Sequence, residues 1–170
     1  LEIAPGPGFL SIELARRGLN VRAVEISKTF VEIVQRNAAA AGVPVDIQQG
    51  NASALPLPDA SVDFVVCRAA FKNFSEPVKA LAEMRRVLRP GGTAMLIDMH
   101  RDVSLAVIKT YVDSLGVNWP NRLFMMFTFR HMLIPRAYPL DDIRRMAAEA
   151  GWADLRLTTG PLGFEARTTK

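Results

Sequence analysis

Cys67 is the sole cysteine among 170 residues, which excludes an internal disulfide and fits a reducing compartment. Long apolar runs are missing too. The densest, Leu123 to Phe129, is far too short to cross a bilayer. No Lys/Arg run exceeds two residues, so the net charge of +4 forms no basic tract of the kind that marks nucleic-acid binding. Arg85, Arg86 and Arg89 gather where a helix C-terminus would attract cations to its dipole. There is no initiator Met and no signal-like segment. The chain starts at Leu1 inside an apparent strand, so the expectation is a domain lacking N-terminal material. No repeat, low-complexity tract or linker divides it. Residues 1–170 read as one cytoplasmic domain without a metal site.

What is present is a regular alternation of strand and helix signals. It predicts an α/β fold with a Rossmann-like, doubly wound and mostly parallel sheet. Leu1–Ala4 ends a first strand, and Phe9–Arg17 is a helix closed by Gly18. Val21–Glu25 is a second strand. Ser27 caps a helix whose shared face is Phe30, Ile33, Val34 and Ala38, with Gly42 as the stop. Val45–Gln49 alternates like a half-exposed strand, and Val62–Cys67 is nearly all apolar, as a central strand would be. Ser75-Glu76-Pro77 starts a helix carrying Leu81, Met84 and Leu88, and Pro90-Gly91-Gly92 turns the chain into a fifth strand, Thr93–Met99.

Beyond residue 100 the rhythm changes. Leu105, Ile108, Val112 and Leu115 mark an amphipathic helix, and residues 119–134 are rich in Trp, Phe and Met without a strand period. Asp141–Ala150 is another helix. Ala153–Thr159 and Leu162–Thr168 form a hairpin at the sheet edge, which brings the sheet to about seven strands with the last antiparallel.

The chemistry concentrates in the first 25 residues. E-I-A-P-G-P-G (residues 2–8) is a glycine turn leaving a strand, and Gly6 and Gly8 let backbone approach a ligand where a Cβ would collide. Glu25 ends the next strand, where a carboxylate suits two vicinal ribose hydroxyls. A pyrophosphate would disfavour the nearby Glu2, and a dinucleotide fingerprint wants Gly or Ala where Ser11 stands. A cationic sulfonium cofactor would favour Glu2.

Taken with Q-G-N-A-S-A-L-P-L-P-D, V-D-F-V-V-C-R-A-A-F-K-N-F and R-R-V-L-R-P-G-G-T-A-M-L-I-D, in that order, the chain resembles class I S-adenosylmethionine-dependent methyltransferases of the small-molecule type. The resemblance covers roughly the first 100 residues. It implies S-adenosyl-L-methionine as cofactor, S-adenosyl-L-homocysteine as product, and a small, apolar acceptor. By position, Glu2 with Ala4, Pro5, Gly6, Pro7 and Gly8 would surround the methionine part. Glu25 would hold the ribose, Ile26 would pack on adenine, Asn51 and Ala52 would meet the adenine edge, and Arg68 and Ala69 would floor the site near the methyl donor. Three departures stand out: Ala4 where the family has Gly, prolines at 5 and 7 without N–H donors, and Asn51 in place of Asp. The resemblance also makes residues around 101–138 an acceptor lid, with a homodimer contact through 119–134 as the alternative.

Other residues carry two readings each. Arg68 could instead pair with a surface acid, and Cys67 reads as a small core residue. His100, at the end of the fifth strand, is either a general base or an exposed loop histidine. His131 and Tyr111 carry less still. Two rival functions stay open, a NAD-dependent oxidoreductase and a non-catalytic cofactor-binding or oligomerisation module.

Overall fold

A computed structural model describes all residues, 1–170. The chain begins at the centre of its own sheet. Strand β1 (Glu2–Ile3) is short but pairs in parallel with β2 (Arg22–Glu25) on one side and β4 (Val62–Arg68) on the other. The edge beyond β2 is β3 (Asp46–Gln49), whose alternating polar residues face solvent. Beyond β4 lies β5 (Leu88–Met99), then β7 (Gly163–Thr169), then β6 (Arg156–Thr159), giving the order β3-β2-β1-β4-β5-β7-β6. β7 runs antiparallel to both its neighbours, so the C-terminal hairpin closes the sheet with β6 outermost. Val65 and Cys67 of β4 are fully buried, as the apolar run of a central strand requires.

Helices cover the sheet. Helix α1 (Phe9–Arg16) follows β1 at once, starting from Gly8 in left-handed conformation (φ 83°). A Cβ on Gly8 would lie 2.9 Å from the Val34 methyls, so both backbone and packing demand glycine there. Helix α2 (Lys28–Ala41) is capped by Ser27 Oγ, which accepts from the Phe30 N–H (3.4 Å), and ends at left-handed Gly42. Its buried face is Val31, Val34 and Ala38. Phe30, expected on that face, is turned about one residue away and 39% exposed, and Ile33 is half-buried.

Helix α3 (Pro77–Val87) starts at its proline. Ser75 does not cap it. A residue preceding proline avoids helical backbone, so Glu76 (φ −128°, ψ 68°) takes the cap position without a side-chain bond. Leu88 also leaves the helix and pairs with Val62 at the start of β5, though it is fully buried as expected. The Pro90-Gly91-Gly92 segment lies inside β5 at a register shift.

After β5 come α4 (Leu105–Ser114), capped by Ser104, and α5 (Trp119–Thr128). Only Ile108 and Val112 of α4 are buried, and Leu105 and Leu115 are each 44% exposed. The chain then passes through a wide turn at Phe129–Leu133 and a short 3-10 turn at Ile134–Arg136. Helix α6 (Leu140–Glu149) carries Asp141 and Asp142 in its first turn, favoured by the helix dipole. It packs on α3, where Trp152 Nε1 donates to the Leu81 carbonyl at 3.0 Å. One core of 21 buried residues joins β1, β2, β4, β5, β7, α3 and α6, while α4 and α5 form a smaller cluster around Val103, Ile108 and Val112.

Candidate active site

Strand order reverses direction between β1 and β4, and open α/β sheets bind ligands outside the carboxyl ends of the strands at such a point. A cleft of about 460 Å³ lies there, within the roughly 300–1,000 Å³ range of small-ligand sites. Four strand ends contribute. The turn after β1 supplies Ala4 to Pro7, the end of β2 supplies Glu25 and Ile26, the loop after β3 supplies Gly50 to Ser53, and the end of β4 supplies Arg68 to Ala70.

Glu25 ties the first two together. It is only 5% exposed, and its carboxylate accepts from the Gly6 N–H at Oε2 (3.3 Å) and from the Ser27 N–H at Oε1 (3.0 Å). Each oxygen keeps a further lone pair for a hydroxyl. The turn is set by left-handed backbone at Ala4, Gly6 and Gly8, and by the Gly8 N–H donating to the Pro5 carbonyl (3.0 Å). A Cβ at Gly6 would meet nothing within 4 Å, and Gly6 lines the cleft. The prolines leave few free donors, and the Pro7 carbonyl is held by Asn37 Nδ2 of α2 at 2.9 Å.

Ile26 is 65% exposed and lines the cleft together with Phe30, giving it apolar surface suited to an aromatic ring. Asn51 Oδ1 accepts from the Ser53 N–H (2.9 Å), which shapes that loop and leaves its Nδ2 and one lone pair for a ligand. Arg68 is exposed on the cleft rim and is not paired with a carboxylate, so the surface ion pair considered from sequence does not form.

The floor at Ala69 is locked from below. Ala69 is left-handed (φ 58°), and its N–H donates to the Ile97 carbonyl at 2.7 Å. Its carbonyl accepts from Lys72 Nζ (2.8 Å), which also pairs with Asp98 Oδ1 at 2.8 Å. Asp98 Oδ2 accepts from the Lys72 N–H, and both side chains are more than nine-tenths buried. No sequence signal pointed to this pair, because its partners sit on different elements 26 positions apart.

Two residues named from sequence, Glu2 and Gly8, do not line the cleft. Glu2 is sealed beneath α1, where its Oε2 accepts from Ser11 Oγ, and it borders a second hollow of about 470 Å³ at the amino ends of the strands. Burial raises the Glu2 carboxyl above its ordinary value, opposed by the Ser11 hydrogen bond and the Arg68 charge. Ser11, which broke the dinucleotide pattern, is therefore the partner of that acid. His100 is buried and not loop-exposed, it does not line the cleft, and its Nδ1 lies 3.8 Å from Asp102 Oδ2 without a hydrogen bond. Burial pushes the Cys67 thiol far up, which fits a core residue and not a nucleophile. Phe30, Ala70, Asn73 and Phe74 line the cleft and were not among the site residues named from sequence.

Comparison with known proteins agrees with this geometry. Residues 1–96 match the model of a family described as methyltransferase domain. A demethylmenaquinone methyltransferase of Deinococcus radiodurans is 37% identical over 100 residues, 58% of this chain and 42% of that protein. One from Renibacterium salmoninarum is 29% identical over 166 residues, 91% of this chain and 66% of that protein. A solved S-adenosylmethionine-dependent methyltransferase from Aquifex aeolicus superposes with a TM-score of 0.73 at 19% identity, covering 99% of this chain and 79% of that one, and so shares its fold. The chain spans about half the length of the curated relatives it matches. With more than half of its residues matched in the order in which they build the cleft, the chain belongs to the methyltransferase-domain family, whose cofactor is S-adenosyl-L-methionine.

Proposed function

We propose that this chain binds S-adenosyl-L-methionine in the cleft at the β1–β4 switch point and methylates a small, apolar acceptor. The observation that carries the reading is Glu25. It is a buried carboxylate that fastens the glycine turn to the end of β2 and keeps lone pairs toward the cleft. In this reading Glu25 receives the ribose hydroxyls, Ile26 with Phe30 flanks the adenine, and Asn51 and Ala52 meet its edge. Ala4 to Pro7 border the methionine portion, with Arg68 and Ala69 beneath the reacting end. Glu2 acts from behind the turn, its carboxylate favouring a cationic group in front.

When bound, the cofactor supplies a methyl group activated on a sulfonium sulfur, which leaves as a neutral thioether. The protein's own work is alignment and exclusion of water. The rigid proline turn and the locked Ala69 floor serve the first. The segment around 101–138 serves the second as an acceptor lid, and it leaves the sheet at the carboxyl end of β5, on the cleft's own edge. His100 remains the candidate base for an acceptor that must lose a proton, and reaching one requires that segment to move, since the imidazole is buried.

Incubation with methyl-labelled S-adenosyl-L-methionine and a panel of phenols and quinols tests the reading. Label should enter the organic-extractable fraction and depend on Glu25. Saturable cofactor binding with transfer to no acceptor would favour a non-catalytic binding module instead.

A further inference from the structure

Helix α5 is apolar on both sides. Met125, Met126 and Phe129 pack inward on the α4 cluster. Trp119, Leu123, Phe124 and Phe127 point outward and are 73%, 56%, 68% and 58% exposed. A helix apolar all round is ordinarily buried, yet no residue of this one is. Its charge is equally one-sided. From Ser114 to Leu140 there is no Asp or Glu, while the segment carries Arg122, Arg130, His131 and Arg136. Arg122 turns inward and pairs with Asp113. Arg130 and Arg136 are exposed and paired with no carboxylate, and at about 100° per residue Arg130 falls on the same side as Trp119 and Leu123.

We propose that the outer face of α5, with the turn after it, docks on an anionic lipid surface. Exposed Trp and Phe beside cations, with no carboxylate to repel phosphate, are what an interfacial helix requires. Crossing is not involved, since no helix is long and apolar enough to span a membrane. A second copy of the chain fits this face less well. A two-fold contact would bring two sets of unpaired arginines together with no acid in the segment to offset them. The α4–α5 cluster rests on Leu162 in the β6–β7 turn, so docking would turn the cleft's edge of the sheet toward the bilayer. That last consequence, access to an acceptor dissolved in lipid, rests on the proposed methyl transfer. The docking itself does not.

Sedimentation of the 170-residue chain with vesicles tests the proposal. It should pellet with equimolar phosphatidylcholine–phosphatidylglycerol vesicles, pellet far less with phosphatidylcholine alone, and be released by salt. Phe124→Ser combined with Phe127→Ser should lower partitioning roughly tenfold or more. Arg130→Gln with Arg136→Gln should lower it about fivefold per charge on the anionic vesicles only. Both variants should keep the wild-type thermal shift with S-adenosylhomocysteine, which shows fold and cleft intact. Equal recovery on both vesicle types would overturn the anionic assignment. No vesicle binding, together with a dimer that the phenylalanine variant dissociates, would assign the face to a second copy. Vesicle binding without any response to S-adenosylhomocysteine would uphold the docking and count against the proposed function alone.

Discussion

Ala4 holds a left-handed backbone (φ 54°) in the turn that borders the cleft, a conformation that disfavours any side chain. Ala4→Gly should raise stability by about 0.5–1 kcal/mol, the strain relieved less the extra freedom glycine gives the unfolded chain. Urea unfolding measures it, and a loss of stability would show that the methyl group is needed for packing. Glu2 makes a second residue-scale prediction. Its folded pKa lies above the unfolded value of 4.5, so the folded chain holds the proton more tightly. Ionised Glu2 therefore lowers stability once pH rises through and above 4.5. Glu2→Gln should melt higher than wild type near neutral pH, with the gain shrinking as pH falls and gone below 4.5. The same variant should bind the cationic cofactor more weakly. A gain independent of pH would mean that Glu2 is not held with a raised pKa.

The turn after β4 and the end of β5 depend on each other through Lys72 and Asp98. Lys72→Met leaves the buried Asp98 carboxylate without its countercharge, though still bonded to the backbone N–H groups of residues 72 and 99, and should destabilise by about 3 kcal/mol. Adding Asp98→Leu should restore part of that loss, because the pair's desolvation is then removed with it. A single variant within about 1 kcal/mol of wild type would show that the site admits water. Elements of this kind divide what could be read beforehand from what could not. The boundaries at Gly42 and Pro77 were legible because those residues admit few backbone states. The central burial of β4 was legible from its nearly all-apolar run, which Asp63 alone interrupts. Helix phase was less so. A shift of one residue moved Phe30 from the core to the cleft and put Val31 in its place. Side chains that meet across the sheet, such as Lys72 with Asp98, leave no local period at all. The path of the loop after β4, which brings Asn73 and Phe74 to the cleft, is likewise set by packing and not by composition.

At the scale of the molecule, the sheet order decides where chemistry can occur. Parallel strands on either side of β1 send their connections in opposite directions, and the gap between those connections is the cleft. The carboxyl ends of β1, β2, β3 and β4 then bring together, from residues spread between Ile3 and Ser75, the turn, acid and apolar wall of one cleft. Ala4, Glu25, Asn51 and Arg68 line that cleft and were readable because each stands at or just past a strand end. Glu2 and Gly8 were readable as part of the motif, but neither lines the cleft. The central claim is that this cleft is built for S-adenosyl-L-methionine, and calorimetric titration with S-adenosylhomocysteine tests it most directly. The account predicts one saturable site per chain, no comparable heat with NAD, and a loss of affinity of roughly 30-fold or more in Glu25→Ala. Saturable binding of NAD with none of S-adenosylhomocysteine, or a Glu25→Ala variant that binds as wild type does, would contradict it.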